Sequence, residues 1–222
     1  MPGRTALIAG ASGLVGSQCL AQLLADPTYS RIVALVRRLL PHTDPKLEQL
    51  VTDFDRLGAE GVSVPAADDV FCCLGTTMKR AGSREAFRRV DFTYVVSLAA
   101  QARQQGAGQF LLVSALGANP RSGIFYNRVK GETEAAVARL PFPGRQIFRP
   151  SILVGERAEH RRAERAGIVV LRALSGAMWG PLRRFRPVGA DTVARAMVAV
   201  AHRAPPGVNI YESDAIARLG RP

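Results

Sequence analysis

Tyr126 and Lys130 lie four residues apart in the stretch FYNRVKGETEAAVARL. On a helix that spacing stacks both side chains on one face. A phenol beside an ammonium can act as an acid with a cationic helper. The same pair can also decorate the outer side of a surface helix, and spacing alone leaves both readings open. Twelve residues before Tyr126 comes Ser114, in LLVSALGA. It ends an apolar run that reads as a strand, and ligands of open α/β sheets bind outside the carboxyl ends of strands. The helix carries an apolar stripe of Val129, Thr133, Val137 and Leu140, with Ala136 beside it, and Tyr126 and Lys130 continue that stripe. A lysine on an inward face needs an anionic or hydroxyl-bearing partner. The ribose hydroxyls of a nucleotide would serve.

A second chemical signal stands near the amino terminus. In IAGASGLVGS, Gly10, Gly13 and Gly16 frame a turn that also holds Ser12, Leu14 and Val15. The turn follows a short apolar run and opens a segment of helical periodicity. A dinucleotide site needs a tight strand-to-helix turn, close approach of a pyrophosphate to the backbone, and close packing of helix on strand. Glycine, lacking a Cβ, meets all three needs. The helix start adds free N–H groups and the positive end of its dipole. Cofactor choice is read at the end of the second strand, where NAD-preferring sites place a carboxylate. Here VALVRR ends in Arg37 and Arg38 with no acid. Arginines pair with a 2′-phosphate through charged hydrogen bonds, so NADP(H) is expected. The alternative is a pair of solvated surface arginines.

The elements that must position these residues alternate. Strands are expected at Thr5 to Gly10, Arg31 to Val36, a weaker one in LEQLVTDF ending near Asp53, Asp69 to Gly75, Gln109 to Ser114, Arg145 to Gly155 and Gly207 to Ser213. Val15, Cys19, Leu20, Leu23 and Leu24 recur at helical spacing, and Asp26-Pro27 stops that helix. One long helix is expected from Ser83 to Gln105, closed by Gly106, and another from about Asp191 to His202 with Asp191 as N-cap. Buried strands alternating with helices imply an α/β, Rossmann-type, doubly wound parallel sheet. The expectation is a single domain over 1–222. Residues 155–188, rich in Arg, Gly and Pro, break the alternation and are read as a small C-terminal cap.

Composition bounds the remaining classes. The chain has 222 residues, 47% hydrophobic and 22% charged, ordinary for a globular protein able to bury its own core. Three cysteines, Cys19, Cys72 and Cys73, form no disulfide framework and no metal-ligand spacing; Cys72 and Cys73 are read as core. MPGRTALIAG runs straight into the glycine turn and is read as a strand, not a signal peptide. The apolar stretch Gly167 to Gly180 contains Arg172 and is too short for a bilayer span. The formal charge of +12 raises a polyanionic partner, but the arginines are scattered and 6% aromatics show no basic-aromatic interleaving. Nucleic-acid binding is therefore not expected as the main function, and a reducing, cytoplasmic setting is.

The glycine spacing, Ser114, Tyr126-x-x-x-Lys130 and Arg149-Pro150-Ser151 resemble the short-chain dehydrogenase/reductase superfamily, in its extended or atypical branch. The segments CCLGTTMKRAGSREAFRRVDFTYV, VSALGANPRSGIFYNRVKGETEA and YESDAIARLG extend the similarity to the human HIV Tat-interacting protein family of NADPH-binding proteins, over nearly the whole chain. The resemblance implies roles. Tyr126 would be the general acid, its pKa of about 10 lowered by Lys130, which would also hold the nicotinamide ribose. Ser114 would hydrogen-bond the substrate oxygen and stabilise the developing oxyanion. Leu74, Gly75, Thr76 and Thr77 would pass the adenosine and pyrophosphate. Asp53 and Phe54 would lie near the adenine, and Pro150, Ser151 and Ile152 would cover the nicotinamide. The resulting expectation is an NADPH-dependent oxidoreductase acting on a small carbonyl or alcohol. Its rival is an NADP(H)-binding regulatory module that presents a surface to a protein partner.

Overall fold

The computed structural model describes residues 3–59, 63–154 and 184–221. In chain order the elements are β1 (Arg4–Ala9), α1 (Leu14–Ala25), β2 (Tyr29–Val36), β3 (Leu47–Val51), β4 (Asp69–Cys72), α2 (Met78–Ala81), α3 (Arg84–Arg88), α4 (Tyr94–Gln104), β5 (Gln109–Val113), α5 (Phe125–Arg139), β6 (Gly144–Arg149), β7 (Leu153–Val154), β8 (Val188–Gly189), α6 (Ala190–Arg203), β9 (Gly207–Glu212) and α7 (Ser213–Leu219). Seven strands form one sheet in the order β3-β2-β1-β4-β5-β6-β9, and every pairing in it is parallel. The order reverses between β1 and β4, which opens a crevice at their carboxyl ends. This is the Rossmann-type sheet expected from the alternation.

Helices cover both faces because the strands are apolar on both faces. Along β1, Ile8 packs with α1 and α6 through Cys19, Leu20, Leu23, Val193 and Met197. Its neighbour Leu7 points the other way, to Val95 and Leu98 of α4 and Val137 of α5. Both strand residues are fully buried. At about 25 cal/mol per Å² of apolar surface removed from water, these two cores supply the main drive for folding. Cys72 is core, as expected, and burial pushes its thiol up to about 12.

Several boundaries differ from the sequence reading. The long helix expected over Ser83 to Gln105 is present, capped by Ser83 and continuous from α3 into α4, but a π turn over Arg89–Thr93 widens its middle. The wider turn carries Asp91, whose carbonyl accepts a hydrogen bond from Thr133 Oγ1 at 2.8 Å. Hydrophobic spacing does not encode such a turn. β4 stops at Cys72, and the short α2 follows, with Thr77 capping it through Arg80 N–H. The strand expected over Arg145 to Gly155 splits into β6 and β7, because Pro150 cannot donate to a ladder. Gly189, not Asp191, is the N-cap of α6, and Asp191 instead pairs with Arg195 one turn on, at 2.8 Å. The last strand ends at Glu212, and α7 follows it. Most of the expected cap, 155–183, and the apolar stretch from Gly167 to Gly180 lie outside the described residues. Among the described residues no helix is long and apolar enough to cross a membrane.

Candidate active site

The glycine turn is shaped by contacts that exclude side chains. Gly10 has φ +84°, and a Cβ there would sit 2.5 Å from the Cys73 carbonyl oxygen. A Cβ on Gly16 would lie 2.1 Å from the Gly10 carbonyl oxygen, so α1 can approach the turn only with glycine at that position. Gly13 N–H closes the turn onto Gly10 O at 2.9 Å, and Ser17 N–H bonds back to Gly13 O at 2.9 Å. No side chain caps α1. The N–H groups of its first turn therefore lack intrahelical acceptors, and Ser12 and Gly13 are exposed before them. Leu14 is half-buried, while Val15 and Gly16 are buried, so those two offer a ligand only backbone. The cradle fits a pyrophosphate in charge, in donors and in bare backbone.

Beside it, at the ends of β2 and β3, lies an open groove of about 360 Å³ lined by Arg37, Val51, Thr52, Asp53, Phe54, Asp55 and Tyr94. Arg37 is on this wall. Arg38 is exposed but not part of it. Asp53 Oδ1 accepts from Asp55 N–H at 3.0 Å, capping a 3-10 turn over Phe54–Arg56. The Phe54 ring is buried against Tyr94, with centroids 5.6 Å apart.

Across the crevice, α5 delivers the expected pair. Tyr126 is half-buried with its ring 5.4 Å from Phe87. Lys130 is 6% exposed, and its Nζ lies 2.8 Å from Oδ1 of the fully buried Asp91. The other Asp91 oxygen accepts the Thr76 N–H at 2.8 Å. A Cβ on Gly75 would come 3.4 Å from Asp91 and 3.5 Å from Lys130 Nζ. The loop after β4 is thus fastened over the lysine. Burial works against the ammonium's charge, but the Asp91 carboxylate and then the Tyr126 oxygen outweigh it and hold the lysine's pKa above its usual 10.5. Lys130 stays protonated through the neutral range.

Ser114, at the end of β5, is buried, and its hydroxyl donates to Glu134 Oε1 at 2.5 Å. Glu134 is in turn gripped by Arg149 through Nε at 3.0 Å and Nη2 at 2.5 Å. Pro150 is buried and its carbonyl accepts Leu116 N–H at 2.9 Å. Ser151 N–H bonds to Ser213 Oγ at 2.8 Å, and its hydroxyl donates to Arg186 O at 2.5 Å. Ile152 is exposed, and Leu74 half-buried.

Sequence reasoning missed Asp91, Glu134 and Tyr94. Glu134 follows Lys130 by one helical turn beside the apolar stripe, where a carboxylate demands a partner. Its position was a usable signal, although the identity of the partner was not. Asp91 and Tyr94 gave no local signal.

The NAD(P)H-binding family model matches residues 10–140. Protein HTATIP2 of Rattus norvegicus is 34% identical, with 100% of this chain and 91% of the rat protein covered. The mitochondrial protein FMP52 of Eremothecium gossypii is 34% identical over 88% of each chain, and that of Aspergillus fumigatus is 34% identical over 89% of each. Among solved structures, the human epimerase family protein SDR39U1 with NADPH superposes with a TM-score of 0.64 at 15% identity, covering 94% of this chain and 74% of that one. The dTDP-glucose 4,6-dehydratase DesIV of Streptomyces venezuelae, with NAD, gives 0.69 at 19% identity, covering 93% and 74%. These two show the fold. The expectation of a cytoplasmic protein is overturned, because the FMP52 relatives are mitochondrial proteins. By the matched family model and these relatives, the chain belongs to the NAD(P)H-binding family and is related to HTATIP2 and FMP52.

Proposed function

We propose that this protein is an oxidoreductase that reduces a small carbonyl compound with NADPH, with Tyr126 as the proton donor. The bound nicotinamide would supply the hydride. The glycine turn would hold the pyrophosphate on the first-turn N–H groups of α1, and Arg37 the 2′-phosphate at the groove wall; Arg38, off that wall, has the weaker claim. Asp53 and Phe54, which line the groove, would lie near the adenine, and Leu74, Gly75, Thr76 and Thr77 would pass the adenosine and pyrophosphate. Pro150, Ser151 and Ile152 would close the nicotinamide end. Tyr126 would give its proton to the carbonyl oxygen, while Lys130, one helical turn away, favours the phenolate that remains. An ammonium has three donors, so Lys130 can keep Asp91 and still bind ribose hydroxyls.

The observation that carries this reading is the buried Lys130–Asp91 pair, fastened to the Thr76 N–H and set one turn from Tyr126. It is tested with NADPH deuterated at the transferred position and a panel of aldehydes and ketones. The expected product alcohol carries one deuterium on its carbinol carbon. NADPH binding with no labelled product from any panel member would favour a second reading, an NADP(H)-binding regulatory module with a protein partner. The hold of Glu134 on the Ser114 hydrogen supports that second reading, since it occupies the donor expected to assist the substrate oxygen.

A further inference from the structure

Ser114, Glu134 and Arg149 form a chain whose hydrogen-bond directions are fixed. Arg149 occupies both oxygens of Glu134 with Nε and Nη2. A guanidinium only donates, so a carboxyl proton on either oxygen would face a donor; Glu134 is a carboxylate and only accepts. The Ser114 hydroxyl must then give its single hydrogen to Glu134, as the 2.5 Å contact shows. What Ser114 has left is two lone pairs. Toward the crevice it can accept a hydrogen bond but not donate one. A bare carbonyl oxygen, itself only an acceptor, has no use for it. Glu134 and Arg149 are 6% and 21% exposed at the side chain, so water does not readily replace either partner.

We propose that Glu134 is a positioning residue that presents Ser114 as an acceptor, so that the substrate bears a hydroxyl next to the reacting carbon: an α-hydroxy carbonyl compound, reduced to a vicinal diol. The reacting oxygen meets Tyr126, and the neighbouring hydroxyl donates to Ser114 Oγ. This inference rests on the proposed carbonyl reduction for its place in the reaction, but not for its hydrogen-bond pattern.

Two readouts keep the two claims apart. The first is kcat/KM with NADPH for acetoin against butanone, which lacks the hydroxyl. The second is calorimetric binding of 2,3-butanediol against 2-butanol to the NADPH complex, where no reaction occurs. The wild type is expected to favour the hydroxylated member of each pair by roughly three- to tenfold, the worth of one hydrogen bond. In Glu134→Gln the amide NH2 must face an Arg149 donor at either position, so the hold on the Ser114 hydrogen loosens; the hydroxyl can then donate to a bare carbonyl or alcohol oxygen, and the preference should narrow. A purely structural role would weaken all four compounds alike. Should Glu134→Gln not fold, Ser114→Ala removes the acceptor without touching the Glu134–Arg149 pair and should erase the preference. A diol preference without turnover of either ketone supports the assignment of Glu134 and, when the deuterium-labelled panel is also without product, refutes the reductase reading. Turnover with no preference in either pair, or a preference that survives Ser114→Ala, overturns the assignment of Glu134. Failure of the wild type to distinguish diol from alcohol overturns it as well.

Discussion

The sheet buries a carboxylate at each end, and the two are built differently. At the amino end, Asp69 is fully buried with Tyr29 Oη at 2.7 Å, Gln109 Nε2 at 2.7 Å and Arg4 Nη2 at 2.5 Å. Gln109 and Arg4 also tie to the carbonyl of Ala201 at the end of α6. These donors bind together β1, β2, β4, β5 and α6. At the carboxyl end, Asp91 is equally buried, but its partners are Lys130 and the Thr76 N–H. The ammonium retains donors, and the glycine turn opens beside it. The comparison teaches that a buried charge does not by itself mark a site. Spare hydrogen-bonding capacity beside a cleft does.

Mutations at the two ends should therefore separate function from stability. The largest effect is expected for Lys130→Ala. It should cut turnover by about 10²–10⁴-fold or more, weaken NADPH binding, and destabilise the fold by about 3–5 kcal/mol by leaving Asp91 uncompensated. Steady-state kinetics and urea unfolding would check this. Lys130→Arg should rescue turnover poorly, since a planar guanidinium does not replace a compact ammonium. At the amino end, Asp69→Ala should cost a similar 3–5 kcal/mol on unfolding. Its kcat at a temperature where it stays folded should match the wild type, and a tenfold drop would break the division between the ends.

Gly13→Val probes the cradle. A Cβ there would lie 3.1 Å from Gly10 O, so the turn must give by a few tenths of an ångström, while the side chain fills the phosphate space. NADPH at 100 times its Kd should stabilise the wild type by about 2.7 kcal/mol and the variant by almost nothing. A retained shift in Tm would remove this turn from the site. A smaller effect is expected from Arg37→Ala, about 1.5–3 kcal/mol lost in NADPH binding with little change for NADH. Arg38→Ala should do less, because Arg38 is not on the groove wall. Equal losses of both cofactors in Arg37→Ala would show that the 2′-phosphate is read elsewhere.

The smallest effect is a pH dependence at Asp69. Burial raises its pKa above the usual 3.8, against the opposing pull of Tyr29, Arg4 and Gln109. A raised folded pKa contributes stability that is full below about 3.8 and fades as pH climbs through the folded value. The stability advantage of the wild type over Asp69→Asn should therefore shrink between acid and neutral pH. Growth of that advantage with pH would mean that the donors outweigh desolvation.

Much of this division was legible in the sequence. The buried runs of β1, β2 and β5, the glycine turn and the Tyr126–Lys130 stripe are local patterns, and local patterns are what periodicity and spacing record. The partners of the buried charges were not legible. Asp91 reaches Lys130 through a π turn, and Glu134 on α5 reaches Arg149 at the end of β6. Both pairings depend on tertiary placement. The same limit explains Ser114: its place at a strand end was readable, but the direction of its hydrogen was decided by a carboxylate twenty residues on.

Two tyrosines provide the most direct test. Tyr29 is buried at the amino end against Asp69, and Tyr126 stands at the carboxyl end near Lys130. Each loses only a hydroxyl on substitution by phenylalanine. In single-turnover reactions with a saturating carbonyl substrate and NADPH, Tyr126→Phe should fall by about 10²–10⁴-fold while keeping its Tm. Tyr29→Phe should react at the wild-type rate but unfold more readily, by about 1–3 kcal/mol for the donor withdrawn from Asp69. Equal rates in Tyr126→Phe and wild type, or loss of turnover in Tyr29→Phe without loss of stability, would contradict the account.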